Sequence, residues 1–196
     1  MVAPPRPDLD ALDRFVVVDG AGSLVLLVAR LLRAEGVRSV EAGVWAADSA
    51  DAELRRTGTG APDLVILVRA GVVDPRLGEP WRRRGVPHLP VTTSRTRVVA
   101  GPWLTGDPDE PCLGCVASRP ATLGAASDAL VTAGAGMAAM VALAGLTGQA
   151  LPSGVSVEVH APWPRVDHRR WSRDPDCPLH GDVSRPAGRQ AATSVF

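Results

Sequence analysis

Two short stretches far apart in the chain constrain its folding more than anything else: "PCLGC" at Pro111 to Cys115 and "DCPLHGD" at Asp176 to Asp182. Together they hold all three cysteines, Cys112, Cys115 and Cys177, and one of only four histidines, His180. Each stretch offers two soft ligands at a spacing of three, which a tight turn can present side by side. Pro111 and Pro178 help to fix such turns. If the two pairs meet, they make a Cys3His set, which suits tetrahedral zinc. A redox CxxC pair and incidental cysteines are the other readings. An odd cysteine count argues against a secreted disulfide framework and for a reducing, cytoplasmic setting. The opening "MVAPPRPDLDALDR" has no apolar run of the kind a signal peptide needs.

The remaining segments say what kind of fold could join the two turns. "RFVVVDGAGSLVLLVARLLRAEGV" reads as a strand at Phe15 to Val18, a glycine turn, and a helix from Leu24 to Glu35 that stops at Gly36. Val37 to Trp45 supplies a second strand and Leu64 to Val68 a buried third, led in by Asp63. A helix over about Pro75 to Arg84 leads into "VPHLPV", and "TRVVAGPW" offers another short strand before the CxxC turn. Strands alternating with helices predict a largely parallel sheet. "GVSVEVHAPWP" predicts an antiparallel strand before the second ligand pair. At 196 residues, a single domain with one core is expected.

Ala129 to Leu146 is uncharged and long enough to raise the question of a membrane span. Its apolarity is mostly Ala and Gly, it lacks aromatic or basic anchors, and a crossing would put Cys115 and Cys177 on opposite sides of the bilayer. A close-packed core helix is the expectation, with no membrane partner. The basic residues, all arginine, balance the acidic ones to a net charge of +0, so nothing gathers nucleic acid.

"DGAGSLV" places Gly20 and Gly22 after a strand and at a helix start, where backbone amides can approach a phosphate. The third glycine of a dinucleotide fingerprint would fall at Val25, and the acidic residue expected after the second strand is represented only by Asp48. A tight turn that binds nothing explains the same residues. His88 and His160 read as loop or strand-end residues, Arg55 and Arg56 as a solvated helix face, and Trp163 and Trp171 as packing around the cysteine turns.

The order of these segments resembles the ThiF and MoeB type of adenylyltransferase, the ubiquitin-activating-enzyme-like superfamily. It runs from the glycine turn through "PDLVIL", "GVPHLPV" and "GPWLTGDPDEPCLGC" to an Ala/Gly helix ending in "LAGLTGQ" and then "RDPDCPLHG". Within that superfamily it looks most like the ThiF-like partner proteins of azole-forming peptide cyclodehydratases, where the position of His180 is usually cysteine. The resemblance implies an α/β fold: a Rossmann-like, mostly parallel sheet with an antiparallel extension and a pair of zinc knuckles, spanning residues 15–182. Residues 1–14 and 183–196 are expected to be tails, the latter disordered. It also implies ATP-dependent adenylation of a peptide or protein C-terminal carboxylate, with Asp residues holding magnesium.

Three departures shift the functional expectation. Aligning Asp63 with the first aspartate of a "DxVxDxxD" strand puts Leu67 and Ala70 at the later positions, and neither binds magnesium. "AADSADAELRRTGTGAP" is shorter than the family's nucleotide-binding segment, so the fold reads as truncated and degenerate. No cysteine lies outside the proposed metal set, which excludes a thioester intermediate. The stretch before Phe15 is too short to expect a winged-helix peptide-binding module. The expected protein is therefore a zinc-stapled pseudoenzyme, a scaffold or partner subunit in ribosomal peptide modification that forms a homodimer and meets a cyclodehydratase component or precursor peptide. An active adenylyltransferase and a nucleotide-cofactor oxidoreductase are the alternatives.

Overall fold

A computed structural model of the chain describes residues 13–116, 124–149, 152 and 154–180. The expected tail at 183–196 and all but the end of the expected N-terminal tail lie outside these residues. Seven strands form one sheet in the order β2-β1-β3-β4-β5-β6-β7. They are β1 (Phe15–Asp19), β2 (Ser39–Gly43), β3 (Leu64–Ala70), β4 (His88–Thr93), β5 (Arg97–Ala100), β6 (Val155–His160) and β7 (Arg165–Arg170). The first four are mutually parallel, and β5, β6 and β7 extend the sheet in antiparallel fashion. The α/β class and the antiparallel extension agree with the sequence reading, although that reading lacked β7. Among the described residues, five α-helices accompany the sheet: α1 (Ser23–Ala34), α2 (Ala46–Thr57), α3 (Glu79–Arg83), α4 (Leu113–Val116) and α5 (Asp128–Leu146).

The sheet divides the expected single core in two. Strand residues alternate sides, so Val16, Val18, Leu64 and Ile66 face α1 and α5, while Val17, Val65 and Leu67 pack with Ala47 and Ala50 of α2 and Trp81 of α3. Helix α1 buries Leu24, Val25, Val28, Ala29 and Leu32, one stripe at helical spacing. Helix α5 is apolar all round. Among the described residues it is the one helix long and apolar enough to cross a membrane, and half of it is buried. Here it lies against α1 and β5, with Gly134 seated on Val98.

The amino ends of β1 and β3 are tied together by Asp63, which accepts from the Phe15 amide and from Arg14, each at 2.8 Å. Asp63 thus stands at the end of the sheet opposite the glycine turn. Arg55 and Arg56 lie on the exposed face of α2, paired with Asp51 and Glu53 within their own helix.

His88 is a strand-end residue, one of the two expected placements: it opens β4, is 1% exposed, and has Nδ1 3.2 Å from the Val86 carbonyl. Burial pushes its pKa down to about 4. The unfolded chain, with His88 near its ordinary value, takes up the proton first, so this group's stability contribution is whole above pH 6.5 and drains as pH falls toward 4. The loss is expected to approach about 3 kcal/mol. Denaturant unfolding of wild type and His88→Leu across that interval measures it, because all other titrating groups are common to both proteins and only wild type carries the extra slope.

Candidate metal centre

The two cysteine turns meet. Cys112 begins the loop that enters α4, and a one-turn 3-10 helix over Pro178–His180 follows Cys177. One ligand atom from each of Cys112, Cys115, Cys177 and His180 lies within 4.8 Å of the others, and all three cysteines are buried. Cys112 Sγ is 3.8 Å from Cys115 Sγ and 3.6 Å from Cys177 Sγ. Thiolates on a tetrahedral ion at about 2.3 Å would be separated by about 3.8 Å, so the spacing suits zinc.

Local chain chemistry builds this cluster. The Cys115 amide donates to the Cys112 carbonyl at 3.0 Å, closing the first turn, and the His180 amide donates to the Cys177 carbonyl at 2.9 Å, closing the second. The Asp174 side chain accepts from the Asp176 amide, and the Asp174 amide points at Cys115 Sγ, 3.4 Å away. Gly114 is required by space: a Cβ there would stand 2.8 Å from Cys177 Sγ. Leu113 plugs into the core on the α2 and α3 face, which anchors the first turn.

The local electrostatics set what a bound cation would have to overcome. Burial pushes the Cys112 thiol up to about 12, so nothing but a positive charge among the sulfurs would hold it as thiolate. His180 is lowered, first by burial and then by Arg173 and Arg82, and its Nε2 is a buried nitrogen with no hydrogen-bond partner. Three thiolates, one neutral imidazole and a divalent ion would carry a net charge of about −1, which Arg82 and Arg173 complement. The Arg82 guanidinium is raised mainly by its hydrogen bond to Glu79, with smaller contributions from Cys112 and Cys177. These four residues could hold a metal ion.

The glycine turn tells a different story. It lies at the carboxyl end of β1, between strands whose connections run to opposite sides, where open α/β sheets place their ligand crevice. Gly20 has φ +146°, a backbone region that favours glycine. A Cβ on it would stand 2.4 Å from the Val68 carbonyl oxygen. Its amide already donates to the Gly43 carbonyl at 3.1 Å. Gly22 leaves open space around it, and Asp48 sits exposed on the first turn of α2.

Two residues that sequence reasoning passed over fill this crevice. Asp19 is 3% exposed, accepts from the Ala47 amide at 3.1 Å and forms an ion pair with Arg69 of β3. Arg69 Nη1 also donates to the carbonyls of Asp19 and Val68. The signal was an aspartate directly before the glycine turn, at the end of an otherwise apolar strand. Leu67 is fully buried in the core on the α2 side.

The fold is shared with solved heterocyclase and MccB structures. A heterocyclase in complex with substrate and cofactor superposes at a TM-score of 0.66 and 14% identity, covering 89% of this chain and 26% of that one. The heterocyclase TruD gives 0.63 and 16% over 89% of this chain and 28% of its own. Escherichia coli MccB bound to MccA-N7isoASN gives 0.62 and 11% over 88% and 68%, and MccB has also been solved with ATP. This chain therefore spans about a quarter of the two heterocyclases and two thirds of MccB. No sequence family matches it and no curated protein does. The shared fold agrees with the resemblance drawn from segment order.

Of the two tryptophans Trp163 and Trp171, Trp163 corrects its reading. Trp163 is 82% exposed at the turn between β6 and β7. Trp171 follows β7, donates from Nε1 to Ser156 Oγ at 2.9 Å and lines a cleft beside α4, the helix that carries Cys115.

Proposed function

We propose that this chain is a non-catalytic, zinc-stapled ThiF-like domain, a scaffold or partner subunit in the modification of a ribosomal peptide. The observation that carries it is the Asp19–Arg69 ion pair across the crevice where this fold would receive a nucleotide. Phosphate would have to displace a paired guanidinium and would meet a Gly20 amide already donating elsewhere. Asp19, the carboxylate at that end, is taken by Arg69 and the Ala47 amide. Leu67 and Ala70 add no metal-holding oxygen. Cys112, Cys115, Cys177 and His180 would hold the zinc, whose chemistry here is to cross-link the two turns. The heterocyclase and MccB fold supports a peptide or cyclodehydratase partner, and the cytoplasmic setting of the proposal rests on the odd cysteine count alone.

Magnesium ATP is expected to show no micromolar binding by calorimetry and no carboxylate-dependent pyrophosphate exchange. Micromolar binding would overturn the reading in favour of an adenylyltransferase, the use to which ATP in the MccB structure would point.

Self-association fits the same reading. Met140 of α5 and Leu26 of α1 are 65% and 67% exposed on two helices that pack together, leaving apolar surface for a second copy. Light scattering at micromolar concentration should return about twice the 20.4 kDa chain mass, and a monomer mass would remove the dimer.

A further inference from the structure

Among the described residues, one face of the antiparallel extension is covered by no long helix. On its other face α5 packs against Val98; on this one, the loop after β3 and the short helix α4 arch over the strands and leave a cleft. Its walls are apolar, with Val72 and Val73 from the loop, Val99 from β5, and Leu113 and Val116 from α4. Its floor is charged. Glu158 of β6, 3% exposed, pairs with Arg169 of β7 at 2.8 Å and with Arg97 of β5 at 3.4 Å. Both arginine side chains stay more than a quarter exposed, at 27% and 29%. Arg169 also lies over the Trp171 ring, 5.4 Å from its centre.

One buried carboxylate set between two arginines leaves one positive charge unbalanced in the cleft. An apolar wall beside an unbalanced guanidinium selects a ligand with matching parts: an apolar side chain next to a carboxylate. The buried Glu158 fixes both guanidinium groups in place, so little side-chain entropy is lost on binding. We propose that this cleft binds a peptide segment carrying a carboxylate beside an apolar residue, with the carboxylate on Arg97 and Arg169 and the apolar side chain between the β3 loop and α4. The assignment rests on the reading that the chain engages a peptide partner, and it places that contact at the cleft and not at the glycine turn. Because α4 follows Cys112 and contains Cys115, one wall of the cleft is also part of the metal cluster.

The carboxylate could come from a chain terminus or from an Asp side chain, and three probes separate the sources: acetyl-Gly-Val-Leu as free acid, the same peptide as its amide, and acetyl-Val-Leu-Asp-Gly-amide. Each is titrated into the full-length protein by calorimetry and by backbone amide NMR. Saturable binding of the first or third, with shifts centred on Val72, Val99, Val116 and Trp171, supports the proposal and names the source. The uncharged amide should bind at least about tenfold more weakly than the better acid, and Arg97→Gln should weaken that acid by about the same factor. The NMR map in the unaltered protein stands even if Arg97→Gln fails to fold. No saturable binding of either acid, equal binding of the amide, or shifts mapping elsewhere overturns the proposal. The nucleotide titration does not depend on these outcomes, so the two readings fail separately.

Discussion

Cys112→Ser, or a strong chelator added to the native protein, is expected to lower the melting temperature by about 8 to 16 °C. The cluster joins two turns that no other covalent or metal link holds: one enters α4 after β5, and the other follows β7. A bound ion stabilises only the folded state, and at a free concentration about a thousandfold above its dissociation constant it contributes about 4 kcal/mol. In a chain of this size each kcal/mol moves the melt by about 2 to 4 °C. Cys112 is 4% exposed, so a serine there also leaves a buried hydroxyl beside two sulfurs. Thermal unfolding with and without chelator separates the contributions: if the metal dominates, chelator shifts wild type strongly and Cys112→Ser hardly further.

The second large effect belongs to α5. A Cβ placed on Gly134 would stand 2.5 Å from Val98 Cγ1 and 2.7 Å from Val98 Cβ, so helix and strand touch through the missing side chain. Gly134→Leu must push α5 off β5, and the Ala-rich helix has no flexible side chain on that side to give way. Overpacking of this kind is expected to destabilise by about 3 kcal/mol, more than the roughly 1 kcal/mol gained by removing a glycine from a helix. Gly136, two residues on, has nothing within 4 Å of the same position. Gly136→Ala is therefore expected to hold or raise stability by up to about 1 kcal/mol. Denaturant midpoints of the two variants should move in opposite directions; equal shifts would mean that the contact with Val98 does not carry the helix.

How far the sequence led depended on how local each signal was. The first strand, turn and helix were legible because Val16 to Val18 form an unbroken apolar run and Gly20 interrupts it where the chain must turn. The four ligands were legible because each pair lies within one turn; that the pairs meet follows from the order of segments around the sheet. Helix α2 was legible only through Arg55 and Arg56, read as a solvated helix face inside a shortened connection; Ala47, Ala50 and Leu54 mark its buried side. Strand β7 was missed because "RVDHRR" has charge on both faces: it is an edge strand whose side chains pair with β6 or face solvent. The cleft had no sequence signature at all, since its residues come from separate strands and loops that only the fold assembles. Asp19 and Arg69 were hidden for the same reason, fifty residues apart and joined by the register of β1 and β3.

The central claim is that one zinc ion joins the two turns, and metal analysis joined to X-ray absorption tests it most directly. Protein purified without chelator should contain about one zinc per chain, with an absorption edge fitted by three sulfurs at about 2.3 Å and one nitrogen at about 2.0 Å. Protein free of zinc, or a fit without sulfur ligands, would contradict it.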